Sequence, residues 1–352
     1  MEYKKEIEQL VSTVLQEGAS DLHLAEGRHP IVRVSGNLIP LVKSAVTTSA
    51  DMKGLVNELL SEENRAILEK DRDVDFSYSL PDVRFRGNAY YRQDKLSVAL
   101  RLIPHVIRTL AELNLPPVLE TFTRRQQGFF LCVGPIGQGK STRLASLIEF
   151  INQTRTEHIL TIEDPIEYVY DSKKSIIDQR EIGVDTPDFP TALTGMFRED
   201  IDVCLVGEMR DIPTISTAVT AAETGHLIFS TLHTNNASQT IDRIIDSFPP
   251  GQQDQIRLQL AACLTGIFSQ RLIPRISGGL IPAYELLINN NAISNLIRER
   301  RTHELNTVIE TSSKEGMIDL NRSLSDLVRA GEITVESAYL NSLNPKNLER
   351  MI

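Results

Sequence analysis

The apolar residues Ile7, Leu10, Val11 and Val14 recur at helical spacing and stop at Gly18, which predicts an opening amphipathic helix. Its apolar face needs a sheet to cover. Short strand-like runs follow at 21–24, 31–34 and 38–41, the last two joined around Gly36-Asn37 as a hairpin. Ser49 opens a second helical stretch to about Glu69, and strands are expected over 74–80, 83–91 and 96–103. Residues 1–103 therefore read as a small α+β domain. The prolines at 104, 116 and 117 flank a short helical pattern, so 104–117 reads as a linker.

From 118 to 352 the pattern changes to strand, helix, strand, helix, which implies a mostly parallel sheet covered by helices, an α/β domain. Strands are expected at 128–133, 158–162, 202–206 and 227–232, with helices over 141–152 and 211–223 among the connections. From about 292 the chain reads as helices, punctuated by Gly316 and Gly331.

Two domains suit 352 residues, and 41% hydrophobic with 24% charged residues is a globular composition. The 37 Lys and Arg against 47 Asp and Glu give a formal charge of -10, so no nucleic-acid partner is expected. No apolar run approaches the roughly 18 residues that span a bilayer, and the opening segment mixes charges where an export signal needs an apolar stretch. Cys132, Cys204 and Cys263 are far apart, which suggests neither a disulfide framework nor a thiolate zinc site. A cytoplasmic protein is expected.

Gly134-Pro135-Ile136-Gly137-Gln138-Gly139-Lys140-Ser141 matches GxxxxGK[ST] between an apolar strand and a helix, the context a P-loop requires. The glycines let the backbone turn its N–H groups on to phosphate oxygens, and the following helix adds its positive end. Lys140 then serves the β- and γ-phosphates, and the Ser141 hydroxyl serves Mg²⁺. The spacing thus predicts binding of a nucleoside triphosphate.

Such an enzyme also needs a carboxylate at a neighbouring strand end. Glu163, with Asp164, follows one apolar strand; Glu208 follows another, after Gly207. A third strand is bracketed by His226 and His233, and His233 falls at the end where ligands bind in open α/β sheets, suiting a γ-phosphate sensor. In the first domain Arg84 and Arg86 alternate with Phe85, making one strand face cationic, and Arg101 lies on the next strand. In a ring enzyme these arginines neutralise phosphate charge across a subunit interface, a role worth roughly 10³ to 10⁵ in rate.

In this order GPIGQGKST, ILTIEDPIE, LVGEMRD, TAAETGHLIFSTLHT and AISNLIRE resemble the type IV pilus retraction ATPases, the PilT family. The resemblance runs from SDLHL at Ser20 to the C-terminal helices. It implies a PAS-like N-terminal domain, a RecA-like P-loop ATPase domain with C-terminal helices, and assembly as a homo-hexamer. It further implies ATP and Mg²⁺ as ligands, with Gly134 to Thr142 as the ATP loop and Ser141 on Mg²⁺, helped by Glu208 through water. Glu163 falls at the water-activating carboxylate, Glu208 at the Walker B acid, His226 and His233 at the histidine motif, and Arg84, Arg86 and Arg101 at arginines that approach the nucleotide. The implied work is pilus retraction, by action on an inner-membrane platform protein and alongside a paralogous retraction ATPase, with the enzyme held at the inner membrane through its partner. An accessory ATP-binding role and a related secretion or conjugation export ATPase are the alternatives. Several positions depart from the family pattern: Gln138 replaces a usual Ser, Arg143 follows Thr142, Ile201 stands in REDID, Ser294 replaces an Arg in AISNLIRE, and YYRQDK shifts an arginine.

Overall fold

The structure is a computed structural model that describes residues 2–34, 37–81, 83–103 and 106–352. The chain divides into two compact units, Met1–Val106 with Glu167–Val169, and Ile107–Ile166 with Tyr170–Ile352. Gly36 of the expected hairpin turn and Pro104 of the expected linker lie outside the described residues.

The first unit runs α1 (Glu2–Gln16), β1 (Asp21–Ala25), β2 (Ile31–Val34), β3 (Asn37–Pro40), α2 (Ser49–Leu59), α3 (Glu62–Asp71), β4 (Asp73–Leu80), β5 (Val83–Arg92) and β6 (Lys95–Ile103). The strands form one antiparallel sheet in the order β3-β2-β1-β6-β5-β4. Ile7, Leu10, Val11 and Val14 of α1 are buried in one core with Leu22, Leu24, Phe85, Val98 and Leu100 of the sheet. Each such side chain contributes about 1.5–3 kcal/mol relative to an exposed one. The single helix expected from Ser49 is two. Leu60 is extended at ψ 141°, and the Ser61 hydroxyl accepts from Asn64 N to cap a new start, a local bond that outcompetes continuation.

The second unit continues with α4 (Glu120–Thr123), β7 (Gly128–Val133), α5 (Lys140–Thr154), β8 (His158–Glu163), β9 (Ile176–Glu181), α6 (Phe189–Met196), β10 (Val203–Val206), α7 (Ile212–Glu223) and β11 (Leu227–Leu232). Then come α8 (Ala237–Asp246), α9 (Pro250–Cys263), β12 (Leu264–Pro274), β13 (Leu280–Ile288), α10 (Asn291–Arg298), α11 (Leu305–Thr311), α12 (Leu320–Arg329), α13 (Val335–Asn341) and α14 (Pro345–Glu349). Seven strands pair in the order β13-β12-β7-β11-β10-β8-β9, parallel throughout except for β12 with β13. Every residue of β7, β10 and β11 is buried, as central strands covered on both faces must be. The edge strands β9 and β13, and β12 beside the latter, are not among those the sequence pattern predicts.

The C-terminal helices build a core of their own on the far part of the β12–β13 hairpin, where Ile273, Ile281 and Ala283 meet Leu320, Leu324, Ile333 and Leu348. The three cysteines are buried and unpaired.

Candidate nucleotide site

Strand β7 ends at Val133, and the chain turns through Gly134 (φ 145°), Gly137 (φ 75°) and Gly139 (φ 71°) into α5, which starts at Lys140. Positive φ at these points is a conformation that a side chain opposes. Gly134 has a second reason, since a Cβ there would lie 2.6 Å from the Gln270 carbonyl oxygen. Gly139 caps α5 without a side-chain bond, so the first N–H groups of a fifteen-residue helix open at the loop. Pro135 is half-buried and Ile136 is exposed, while Ser141 and Thr142 sit half-buried in the first helical turn. Lys140 is buried, and its Nζ donates to the carbonyls of Gly134 (2.9 Å) and Pro135 (3.0 Å).

Because β7, β8, β10 and β11 run parallel, Gly134, Glu163, Glu208 and His233 all fall at one edge of the sheet. Glu163, the last residue of β8, is buried and accepts from Thr161 Oγ1 at 2.7 Å. Glu208 takes His233 Nε2 at 3.2 Å on one oxygen and Arg210 Nη2 at 2.7 Å on the other. Burial alone would raise the Glu208 pKa, but the bond and charge of Arg210, followed by His233, hold it below the ordinary carboxylate value. His233 Nδ1 lies 3.1 Å from Lys140 Nζ, so one contact path runs from the loop lysine through His233 and Glu208 to Arg210. Beside it, Glu208, Arg210, His233, Arg243 and Ser247 line a cavity of about 340 Å³. Among the described residues, no group of three or more His, Cys, Asp or Glu is placed to hold a metal.

Not every expected residue joins this edge. His226 precedes the opposite end of β11, about 20 Å along the strand from His233. Its Nδ1 lies 3.1 Å from the Ala221 carbonyl oxygen, and its ring meets Phe197 edge-on. Within the first unit, Arg86 and Arg101 are direct cross-strand partners on β5 and β6, and Arg101 Nε donates to Asp21 at 2.9 Å. Arg84, half-buried, donates to Ser77 Oγ at 3.4 Å. Sequence reasoning missed Arg210 and Gln270. Arg210 lay in view two residues after Glu208; nothing in the sequence marks Gln270.

A model of the family described as type II/IV secretion system protein matches residues 2–314. The chain belongs to that family. Among the family's curated proteins, the type IV pilus retraction ATPase PilT of Pseudomonas aeruginosa is 41% identical over 348 residues, 97% of this chain and 99% of its own. The type IV pilus ATPase PilU of the same organism is 36% identical over 99% of this chain and 91% of its own. A crystal structure described as the pilus retraction motor PilT with bound ADP matches at TM-score 0.92 and 46% identity, over 97% of this chain and 98% of that one. The secretion-family fold is RecA-like, and the seven-stranded sheet here has it. The chain is accordingly a P-loop ATPase, and the likeness to the retraction ATPases read from the motifs extends over nearly all of it. No helix among the described residues is long and apolar enough to cross a membrane.

Proposed function

We propose that this chain is the subunit of a homo-hexameric, ATP-driven motor that powers type IV pilus retraction through an inner-membrane platform protein. It works in the cytoplasm, peripheral to that membrane. The observation that carries this reading is the likeness to an ADP-bound retraction motor across 97% of the chain. In this reading 1–103 is a PAS-like domain, 104–117 a linker and 118–352 the RecA-like ATPase domain, helical from about 292.

The loop from Gly134 to Thr142 receives the phosphates of ATP on its N–H groups and the start of α5, with Lys140 at the β- and γ-phosphates. Ser141 beside Lys140 and the ionised Glu208, acting through water, offer Mg²⁺ the hard oxygen donors it prefers. When bound, that ion neutralises charge developing on the phosphates. Glu163 takes a proton from the attacking water. The water oxygen bonds to the γ-phosphorus as the bond to the β–γ bridging oxygen breaks, leaving ADP and phosphate. His233 ties Lys140 to Glu208, His226 belongs to the same histidine motif, and Arg84, Arg86 and Arg101 complete the site of a neighbouring subunit.

A second reading, an accessory ATPase that depends on a paralogous motor, is favoured by one residue. Ser294, where the retraction motif carries arginine, is buried, its one hydroxyl proton shared between the Ala261 carbonyl (2.9 Å) and Asn289 Oδ1 (3.1 Å), and so offers no charge to a partner. The test is a chromosomal Lys140→Ala variant in the host. Surface pili that persist while twitching is lost support the motor. Normal retraction with a stably expressed variant overturns it, and loss of retraction when the paralogue alone is disabled, with this chain intact, supports the accessory.

A further inference from the structure

Arg143 lies one turn into α5 and is only 4% exposed. Its Nη1 donates to the Gln138 carbonyl at 2.8 Å and also to the Gly139 carbonyl. The Gln138 carbonyl takes a second donor, Gln270 Nε2, at 2.9 Å, and Gln270 on β12 is 1% exposed. The Gln138 side chain reaches the same strand, where its Oε1 accepts from Leu272 N at 2.6 Å. A Cβ on Gly139 would come within 2.8 Å of Arg143 Nη1, so this glycine also makes room for the guanidinium.

Two successive carbonyls of the phosphate loop are thus pinned, by the helix that follows the loop and by the strand that flanks it. In a trans peptide the C=O and the N–H of the next residue point in opposite directions. The one cis bond among the described residues is Asp164–Pro165, which is not part of the loop. Fixing the carbonyls of Gln138 and Gly139 therefore fixes the N–H groups of Gly139 and Lys140 on the other side.

We propose that Arg143 and Gln138 are positioning residues that preset these two N–H groups for the phosphates of a nucleoside di- or triphosphate, their own side chains not touching it. The proposal rests on the P-loop reading above. Arginine suits the task because it is a charged donor of fixed planar geometry, whereas lysine supplies a point charge on a flexible stem. Gln138 suits it because its side chain ties the loop to β12.

The test uses the full chain and reads ADP affinity by titration with a fluorescent ADP analogue, alongside KM and kcat for ATP. Arg143→Met and Arg143→Lys are each expected to raise KM and the ADP Kd about 10-fold, near the worth of one charge-assisted bond. Gln138→Met should raise both about 3-fold, one neutral bond. Loop N–H groups hold ground state and transition state alike, so kcat should stay within about twofold. Wild-type affinity restored by Arg143→Lys would show that charge alone matters and overturn the positioning role. Should the Arg143 variants fail to fold, Gln138→Met decides, and an unchanged Kd there overturns the proposal. Lys140→Ala in the same assay separates the two readings: its loss of nucleotide binding leaves the P-loop intact whatever the other variants do, and unimpaired binding removes the P-loop reading and this one with it.

Discussion

The Nε2 of His233 lies 3.2 Å from Oε1 of Glu208, close enough to donate to it. The other ring nitrogen, Nδ1, stands 3.1 Å from Lys140 Nζ. An ammonium has hydrogens only to donate, so Nδ1 must accept and the ring proton must sit on Nε2. The two neighbours therefore set which ring nitrogen donates and which accepts, and make His233 the joint between the phosphate loop and the carboxylate at the end of β10. His233→Phe removes both bonds while keeping a flat ring. We expect ATP turnover to fall about 10- to 100-fold, as bonds to charged groups are worth about 1.5–3 kcal/mol. A steady-state assay showing wild-type turnover would make the joint a bystander.

Glu163 and Glu208 share a sheet edge but not an environment. Glu208 is engaged on both oxygens by cationic or donor side chains, which suits a group that holds a hydrated cation rather than one that takes a proton. Glu163 is buried and takes neutral donors on Oε1, Thr161 Oγ1 at 2.7 Å and Gln179 Nε2 at 3.4 Å. Glu163→Gln should therefore bind ATP normally and lose turnover by a factor of at least about 10². Glu208→Gln should lose turnover together with its response to added Mg²⁺. Equal turnover in wild type and Glu163→Gln would move the base elsewhere.

The P-loop was legible because glycine, lysine and serine spacing is dictated locally, by the backbone turn and helix start that the phosphates need. Strands β7, β8, β10 and β11 were legible for a related reason: covered on both faces, they read as largely apolar runs. Strand β9 escaped because it is an edge strand whose Ile176 is exposed and whose Asp178 and Arg180 are charged. Its apolar and polar residues give no face that a sequence pattern can find. Strand β12 escaped because it reaches past the end of β7, and there Gln270 and Arg271 interrupt the apolar run. Gln270 gains meaning only from register, which sets it against Gly134. The same holds for the path through His233, whose members lie far apart in sequence and meet only because the parallel strands end together.

Glu285 offers a test of how burial acts on this fold. It sits on β13 opposite Ser269, is buried, and accepts from Ala237 N, the first residue of α8, at 2.7 Å. Burial pushes its carboxyl from 4.5 up to about 7; the Ala237 bond opposes that rise and Asp319 adds to it. Between 4.5 and about 7 the folded chain keeps a proton that the unfolded chain has released, so stability falls as pH rises through this window and levels off above it. Glu285→Gln keeps an oxygen for Ala237 N and has no charge to bury. Denaturation curves of variant and wild type should nearly coincide at pH 5, and at pH 8 the variant should be more stable by on the order of 2 to 3 kcal/mol. A variant weaker than wild type at pH 8 would mean that the ionised carboxylate is favourable where it sits.

The last expectation concerns the arginines of the first unit. Arg86 faces Arg101 across β5 and β6, an arrangement in which like charges repel, and Arg101 has Asp21 as its partner. Asp21 is well buried, and although burial raises its pKa, the bonds from Ser20 and Arg101 bring it below the ordinary value, so it stays charged and relieves only part of the repulsion. If the pair merely decorates a solvated face, Arg86→Ala should change stability and turnover by about 0.5 kcal/mol or less. If Arg86 completes a neighbouring subunit's site, as proposed, Arg86→Ala and Lys140→Ala should each be inactive alone. Rings assembled from both variants then contain some sites in which an intact Lys140 faces an intact Arg86, so mixing two dead proteins should restore measurable ATPase activity. Native mass spectrometry on differently tagged subunits establishes that mixed rings have formed. Mixed rings without activity count against a shared site, and a series with wild-type subunits at increasing dilution shows whether one intact site can fire among dead neighbours.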